Sequence, residues 1–175
     1  MHSSVNLPKL ECVTTEKGRV YVTPEGNKYP SITTVLQVLS RQDIKRWRRR
    51  VGEAEATKVS NRAATRGTAL HTLVEKYLQN EEIKETIHFK VVKKHLNRIG
   101  QVYAQETNLW SDRYRVAGCT DCIAEFDGVL SVIDFKTSKS IKPKEWIESY
   151  FIQCSFYAEA WEERTGLPID QIVII

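Results

Sequence analysis

The stretch DCIAEFDGVLSVIDFKTSK, residues 121–139, sets two apolar runs on either side of a single Asp127-Gly128 pair. Asp-Gly supplies the positive φ that a two-residue hairpin turn needs at both central positions. Counting outward from that turn, Phe126 faces Val129, Glu125 faces Leu130, Ile123 faces Val132, and Asp121 faces Asp134. Lys136 shares the face of Asp134, because side chains two apart on a strand point the same way.

Opposed residues on paired strands have Cβ atoms about 5 Å apart, and two like charges there repel. A shared proton, the nearby ammonium of Lys136 or a bound cation can each offset that repulsion. A hard divalent cation suits the pair best, since Mg²⁺ takes one or two carboxylates together with water and phosphate oxygens. Such an ion stabilises charge on a phosphoryl oxygen and acidifies bound water. Lys136 would then orient or deprotonate the attacking water, or balance charge in the transition state. The plainer alternative is a Lys136–Asp134 pair on an exposed sheet edge. A three-residue turn with a bulge would remove the opposition altogether.

The rest of the chain supplies a setting for this hairpin. Its 175 residues suit one domain, 1–175, with a real core, and 41% hydrophobic and 27% charged residues are ordinary for a globular chain. A net charge of +4 permits a polyanionic partner without requiring one. No apolar run approaches a membrane span, and the N-terminus lacks the apolar stretch of a secretory signal. With four cysteines, that implies reduced thiols and a cytoplasmic setting.

Residues 1–10 read as a loose leader. CVTT, RVYVT and the turn PEGN suggest a short N-terminal hairpin. PSITTVLQVLS, 30–40, spaces Ile32, Val35, Leu36 and Leu39 as a helix capped by Ser31, and a separate helix is expected through DIKRWRRRV, 43–51. A third is expected over 53–64 with a break at Arg66-Gly67. Thr68 then caps ALHTLVEKYL, whose Leu70, Val74, Tyr77 and Leu78 form a stripe. A further helix is expected over 88–104. LWSDRYRVAG, CTDCIAEF and VLSVIDFK read as short strands. Pro143 opens a long helix to Arg164, Gly166 ends it, and IVII reads as a buried strand. The pattern predicts an α/β fold: a small mixed sheet flanked by helices, with an N-terminal helical segment.

GCTD, 118–121, followed by IDFKTSK, 133–139, resembles the paired motifs of the PD-(D/E)XK nuclease superfamily. RGTALH, 66–71, is similar to the histidine motif of its RecB-like nuclease domains, and QCSFY, 153–157, fits their Q-x-x-x-Y signature. PSITTVL and DFKTSKSIKP are similar to segments of phage and mitochondrial exonucleases in that superfamily, so the resemblance runs from about residue 29 to the end. It implies a restriction-endonuclease-like core. It implies Mg²⁺ or Mn²⁺ held by His71, Asp121, Asp134 and the backbone carbonyl of Phe135, with Asp121, Asp134 and Lys136 catalytic. Gln153 and Tyr157, one turn apart on a helix face, would support the active site, with Glu106 as an accessory acid. The implied reaction is exonucleolytic hydrolysis of DNA, single-stranded or at ends, in the cytoplasm (the host's, for a viral protein). Relatives commonly continue past a strand like IVII, so further chain is expected there.

Each assignment has a plainer counterpart. His71 can be a packing residue, Gln153 and Tyr157 polar packing on a long helix, and Ser31 a simple cap. Ser31 and Thr33 at a helix N-terminus, Arg66 in the histidine motif, and Lys142 and Lys144 beyond the hairpin are the candidates for binding DNA phosphates. KRWRRR, 45–50, can neutralise phosphates and stack Trp47 on a base, or be a solvated helix face. Some RecB-like nucleases carry an iron–sulfur cluster on four cysteines, three of them after the Q-x-x-x-Y helix. Cys12, Cys119, Cys122 and Cys154 do not follow that pattern, so no cluster is expected. Two other activities fit the same motifs: a nuclease-like DNA-binding module without hydrolysis, and a structure-specific endonuclease. Intact Asp134 and Lys136 argue against the first.

Overall fold

Strands β1 (Glu11–Thr15), β2 (Gly18–Val22) and β3 (Lys28–Pro30) form an antiparallel meander, in which PEGN turns the chain from β2 to β3. The expected hairpin thus gains a strand. The computed structural model describes residues 5–138 and 142–175. Where the sequence reads as a loose leader, the Val5 N–H donates to the Tyr103 carbonyl at 3.1 Å and Leu10 is buried. Residues 1–4 lie outside the described residues.

Helix α1 (Ile32–Val51) starts at Ser31, whose hydroxyl accepts from the Thr34 N–H. It is one helix where two were expected, because no glycine or proline interrupts residues 40–43. Gly52, at φ 86°, separates it from α2 (Glu53–Leu78). This helix also runs unbroken through Arg66-Gly67, so Thr68 lies inside it and caps nothing. One interior glycine costs a helix only about 1 kcal/mol, and packing of Leu70 and Val74 against the sheet outweighs that.

Helix α3 (Ile87–Leu96) is capped by Thr86 and stops well short of the expected residue 104. There β4 (Ile99–Ser111) begins, burying Val102 and Ala104 against the sheet's two faces in place of a helical stripe. Then follow β5 (Val116–Phe126) and β6 (Val129–Asp134). One 3₁₀ turn, Lys144–Trp146, follows Pro143 before α4 (Glu148–Thr165), and Gly166 ends that helix in the left-handed conformation. The last strand is β7 (Gln171–Ile174).

The main sheet has the order β4-β5-β6-β7, antiparallel except for β7, which lies half-buried and parallel to β6. The hairpin register is the one counted from Asp127-Gly128: Phe126 pairs with Val129, Glu125 with Leu130 and Ile123 with Val132. Alternation divides the core between the two faces. Ile123 and Val132 pack with Cys154, Tyr157 and Trp161 of α4, whereas Cys122 and Ile133 pack with Leu70 and Val74 of α2 and Phe89 of α3. The fold is α/β, a mixed sheet between helices, consistent with a restriction-endonuclease-like core. Among the described residues, no helix is long and apolar enough to cross a membrane.

At Gly118 on β5, side chains of α1 and α4 press directly on the sheet backbone. A Cβ there would lie 2.8 Å from Tyr157 Cε1 and 3.1 Å from Ile32 Cγ2. Gly118→Ala should therefore destabilise the protein by about 1–3 kcal/mol, as overpacking does. Thermal melting checks this, and an unchanged midpoint would mean that the contact yields freely.

Candidate active site

The β5–β6 ladder closes at Cys122 and Ile133, so Asp121 and Asp134 are the next facing positions at its open end. Instead of extending the ladder, the Asp121 carboxylate accepts from the Phe135 N–H at 2.8 Å. On the other side of β5, the ladder pairs Gln105 with Cys122 and Thr107 with Thr120, which leaves Glu106 opposite Asp121. Glu106 has φ 43°, a left-handed conformation that a non-glycine residue seldom adopts within a strand. Three adjacent strands thus each carry one acid at the same level, in the middle of β4 and β5 and at the end of β6.

His71 reaches this level from α2. Its Nε2 lies 2.8 Å from the Phe135 carbonyl oxygen, and its Nδ1 is 3.5 Å from Asp121 and 3.9 Å from Glu106. Ligating atoms of His71, Glu106 and Asp121 all lie within 4.8 Å of one another. That is a cluster with the span and donor types of a metal site.

The electrostatics follow from crowding. Burial, and then the charge of Asp134, push the Asp121 carboxyl up to about 6. Burial likewise raises Asp134, which is 1% exposed, although the adjacent Lys136 ammonium works against it. His71 is pushed up to about 9, chiefly by Glu106, against the cost of its own burial and with help from Asp121. At 3.9 Å Glu106 acts on the ring as a nearby charge more than as a hydrogen-bond partner.

Lys136 donates to Asp134 at 2.7 Å. Strand β7 fixes the backbone on either side, through the Lys136 N–H to the Ile175 carbonyl and the Ile175 N–H to the Asp134 carbonyl. From α4, Gln153 donates to the Tyr157 hydroxyl at 3.2 Å. Both line a cavity of about 210 Å³ that also reaches Asp121, Glu106, Ser31 and Thr33. Arg19 and Tyr21 of β2 also line it, and no local residue pattern points to them, because they arrive through the separate meander.

Other candidates lie elsewhere. Arg66 lines a different groove, between α2 and the start of α3, with Arg62, Thr86 and His88. Lys144 is exposed on the 3₁₀ turn. In the basic run, Arg46 pairs with Asp43 and Arg48 with Glu53. Cys122 and Cys154 are buried on opposite faces of the sheet.

No protein-family model matches the chain. Two relatives do. Human mitochondrial genome maintenance exonuclease 1 is 30% identical over 143 residues, covering 73% of this chain and 41% of that protein. Its mouse counterpart is 28% identical over 134 residues, covering 68% and 40%. The chain spans about two-fifths of the length of these curated relatives, and the matches support a nuclease relationship.

Because its folded-state value is raised, ionised Asp121 weakens the metal-free fold, and this penalty grows as pH rises from about 4 through about 6. Asp121→Asn removes it. Over that pH range the variant should gain on the parent protein by up to about 3 kcal/mol, then hold level. Where Mn²⁺ raises the melting midpoint of the parent, the same variant should lose most of that gain. Paired thermal melts across pH, with and without Mn²⁺, check both signs.

Proposed function

We propose that this chain is a metal-dependent deoxyribonuclease of exonuclease type, hydrolysing phosphodiester bonds of single-stranded DNA or DNA ends, on a PD-(D/E)XK site. The observation that carries the reading is the meeting of His71, Glu106 and Asp121 within 4.8 Å, beside the Lys136–Asp134 pair. Similarity to an exonuclease supports it from a second direction.

The donor set fits a hard cation. Carboxylate oxygens with one imidazole suit Mg²⁺ or Mn²⁺, while the neighbouring Cys119 thiol, pushed up to about 12 mainly by burial, stays protonated. Positive charge at this point would also act against the rise of both carboxyls, which burial causes and, for Asp121, the charge of Asp134 increases. When bound, such an ion polarises a phosphoryl oxygen and acidifies a water.

The chain's own residues supply the rest. The Phe135 carbonyl on Nε2 fixes the His71 ring and leaves Nδ1 toward the acids, as backbone acceptors do for metal-binding histidines. On this reading Phe135 orients a ligand, and Glu106 is a ligand in its own right beside Asp121, with Asp134 completing the acidic group. The Phe135 N–H holds Asp121 in place. Lys136, kept by Asp134, presents its ammonium to the attacking water or to the charge that builds on the phosphate. Ser31, Thr33 and Arg19 offer donors across the cavity to a flanking phosphate, walled by Gln153 and Tyr157. Lys142 and Lys144 bind the backbone on the far side of Lys136, and Arg66 lies on a more distant stretch of the DNA path.

Labelled linear and circular single-stranded DNA with Mg²⁺ or Mn²⁺ tests this reading. The linear form should be degraded and the circle spared. A cut circle would make the protein an endonuclease, and two intact substrates a binding module. Lys136→Ala should lower the cleavage rate by about a hundredfold or more, with DNA affinity in a gel-shift assay within about threefold. A variant that still cuts at the parental rate would remove Lys136 from the mechanism.

A further inference from the structure

Tyr150 carries no motif, yet its ring is shared by two ammonium groups. Lys136 Nζ lies 5.2 Å from the ring centroid and Lys142 Nζ 4.9 Å, and Lys142 also donates to the phenol oxygen. Tyr150 sits in the first turn of α4, where its N–H bonds to the Ile147 carbonyl. It stands three residues before Gln153 and seven before Tyr157, so the three form one stripe of the helix. Of that stripe, Gln153 and Tyr157 line the cavity beside the acids. Tyr150 extends the same stripe to Lys136.

We propose that Tyr150 is a positioning residue for Lys136 and couples it to Lys142, an inference that rests on the nuclease reading above. Among the described residues, Lys136 has Asp134 as its carboxylate partner, which anchors the ammonium from its own side. An ammonium that must meet a phosphate or a water needs a second contact to hold its direction. A further carboxylate there would add negative charge to a group that already holds Glu106, Asp121 and Asp134. The face of a phenol ring attracts a cation without that cost. The same ring brings Lys142 alongside, so a phosphate held by Lys142 and the position of Lys136 are set by one side chain. Substrate binding and the orientation of the lysine are thereby tied to the first turn of α4.

The test is a series at this position, Tyr150→Phe, Tyr150→Trp and Tyr150→Leu, read by kinetics and by the spectrum of ¹³C-labelled lysine. Phe and Trp keep an aromatic face. They should hold kcat within about twofold and raise KM through the lost Lys142 bond. Leu should lower kcat by roughly tenfold to a hundredfold, the scale of a misplaced catalytic group. Independently of turnover, the ε-methylene protons of Lys136 should carry an upfield ring-current shift in the parent and in the Phe variant, and lose it in the Leu variant. If Leu proves poorly folded in a melt, the Phe and Trp variants still give the kcat and KM split. A Lys136 resonance without the shift in the parent protein, or parental kcat in a folded Leu variant, overturns the proposal. The ring shift present in a parent protein that cuts no DNA would count against the nuclease reading and leave the placement of Lys136 standing.

Discussion

Carboxylates repel, and this chain brings Glu106, Asp121 and Asp134 to one level across three neighbouring strands, with two of them largely buried. Nothing in their own chemistry favours the meeting. The backbone register of β4, β5 and β6 imposes it, and the apolar contacts on both sheet faces hold that register. The cost shows in Asp121 and Asp134, both pushed above the ordinary carboxylate range, chiefly by burial and for Asp121 also by the charge of Asp134, and in the left-handed backbone at Glu106. Partial compensation comes from three sources: the Phe135 N–H on Asp121, the Lys136 ammonium on Asp134, and the His71 ring facing Asp121 and Glu106. Such a cluster, with His71 beside it, could hold a cation.

The helices serve this end of the sheet from opposite sides. Helix α2 packs Leu70 and Val74 against Cys122, Ile133 and Phe135, so that His71, next to Leu70, reaches the strand end at Phe135. Helix α4 packs Cys154, Tyr157 and Trp161 on the other face and lays its polar stripe along the rim. A side chain at Gly118 would force Tyr157 and Ile32 away, so the smallest residue at that point lets both α1 and α4 approach. Strand β7 then locks the backbone from Asp134 to Lys136. The acidic group is therefore a joint product of both layers. A change to either core should be felt at the site before it unfolds the molecule.

What could be read from the sequence was what local geometry dictates. Asp127-Gly128 allows one tight turn, and a tight turn fixes the register of its strands, so the facing of Asp121 and Asp134 followed from counting alone. The RGTALH motif pointed to His71, and the spacing of Gln153 and Tyr157 to one face of a helix. Of the helix boundaries misread, the one at 40–43 carried no glycine or proline to stop α1, and the one at Arg66-Gly67 was a place where a weak local signal met packing on both sides, from Ala56 and from Leu70 and Val74. A lone glycine does not stop a helix that buries residues on both sides of it. The helix expected to 104 failed for the converse reason: β4 pairs with β5, a partner that sequence spacing cannot reveal.

The sequence by itself thus determined the hairpin, the acids at its open end and the lysine on their face, because strand alternation and turn chemistry are short-range. Only the tertiary structure decided that Glu106 joins His71 and Asp121, that the Phe135 carbonyl is engaged with His71, that Arg19 walls the cavity and that Tyr150 meets Lys136. Each of these depends on contacts between elements far apart in the chain. Such contacts are set by the packing of two helical layers on one sheet, and no local pattern of residues encodes them.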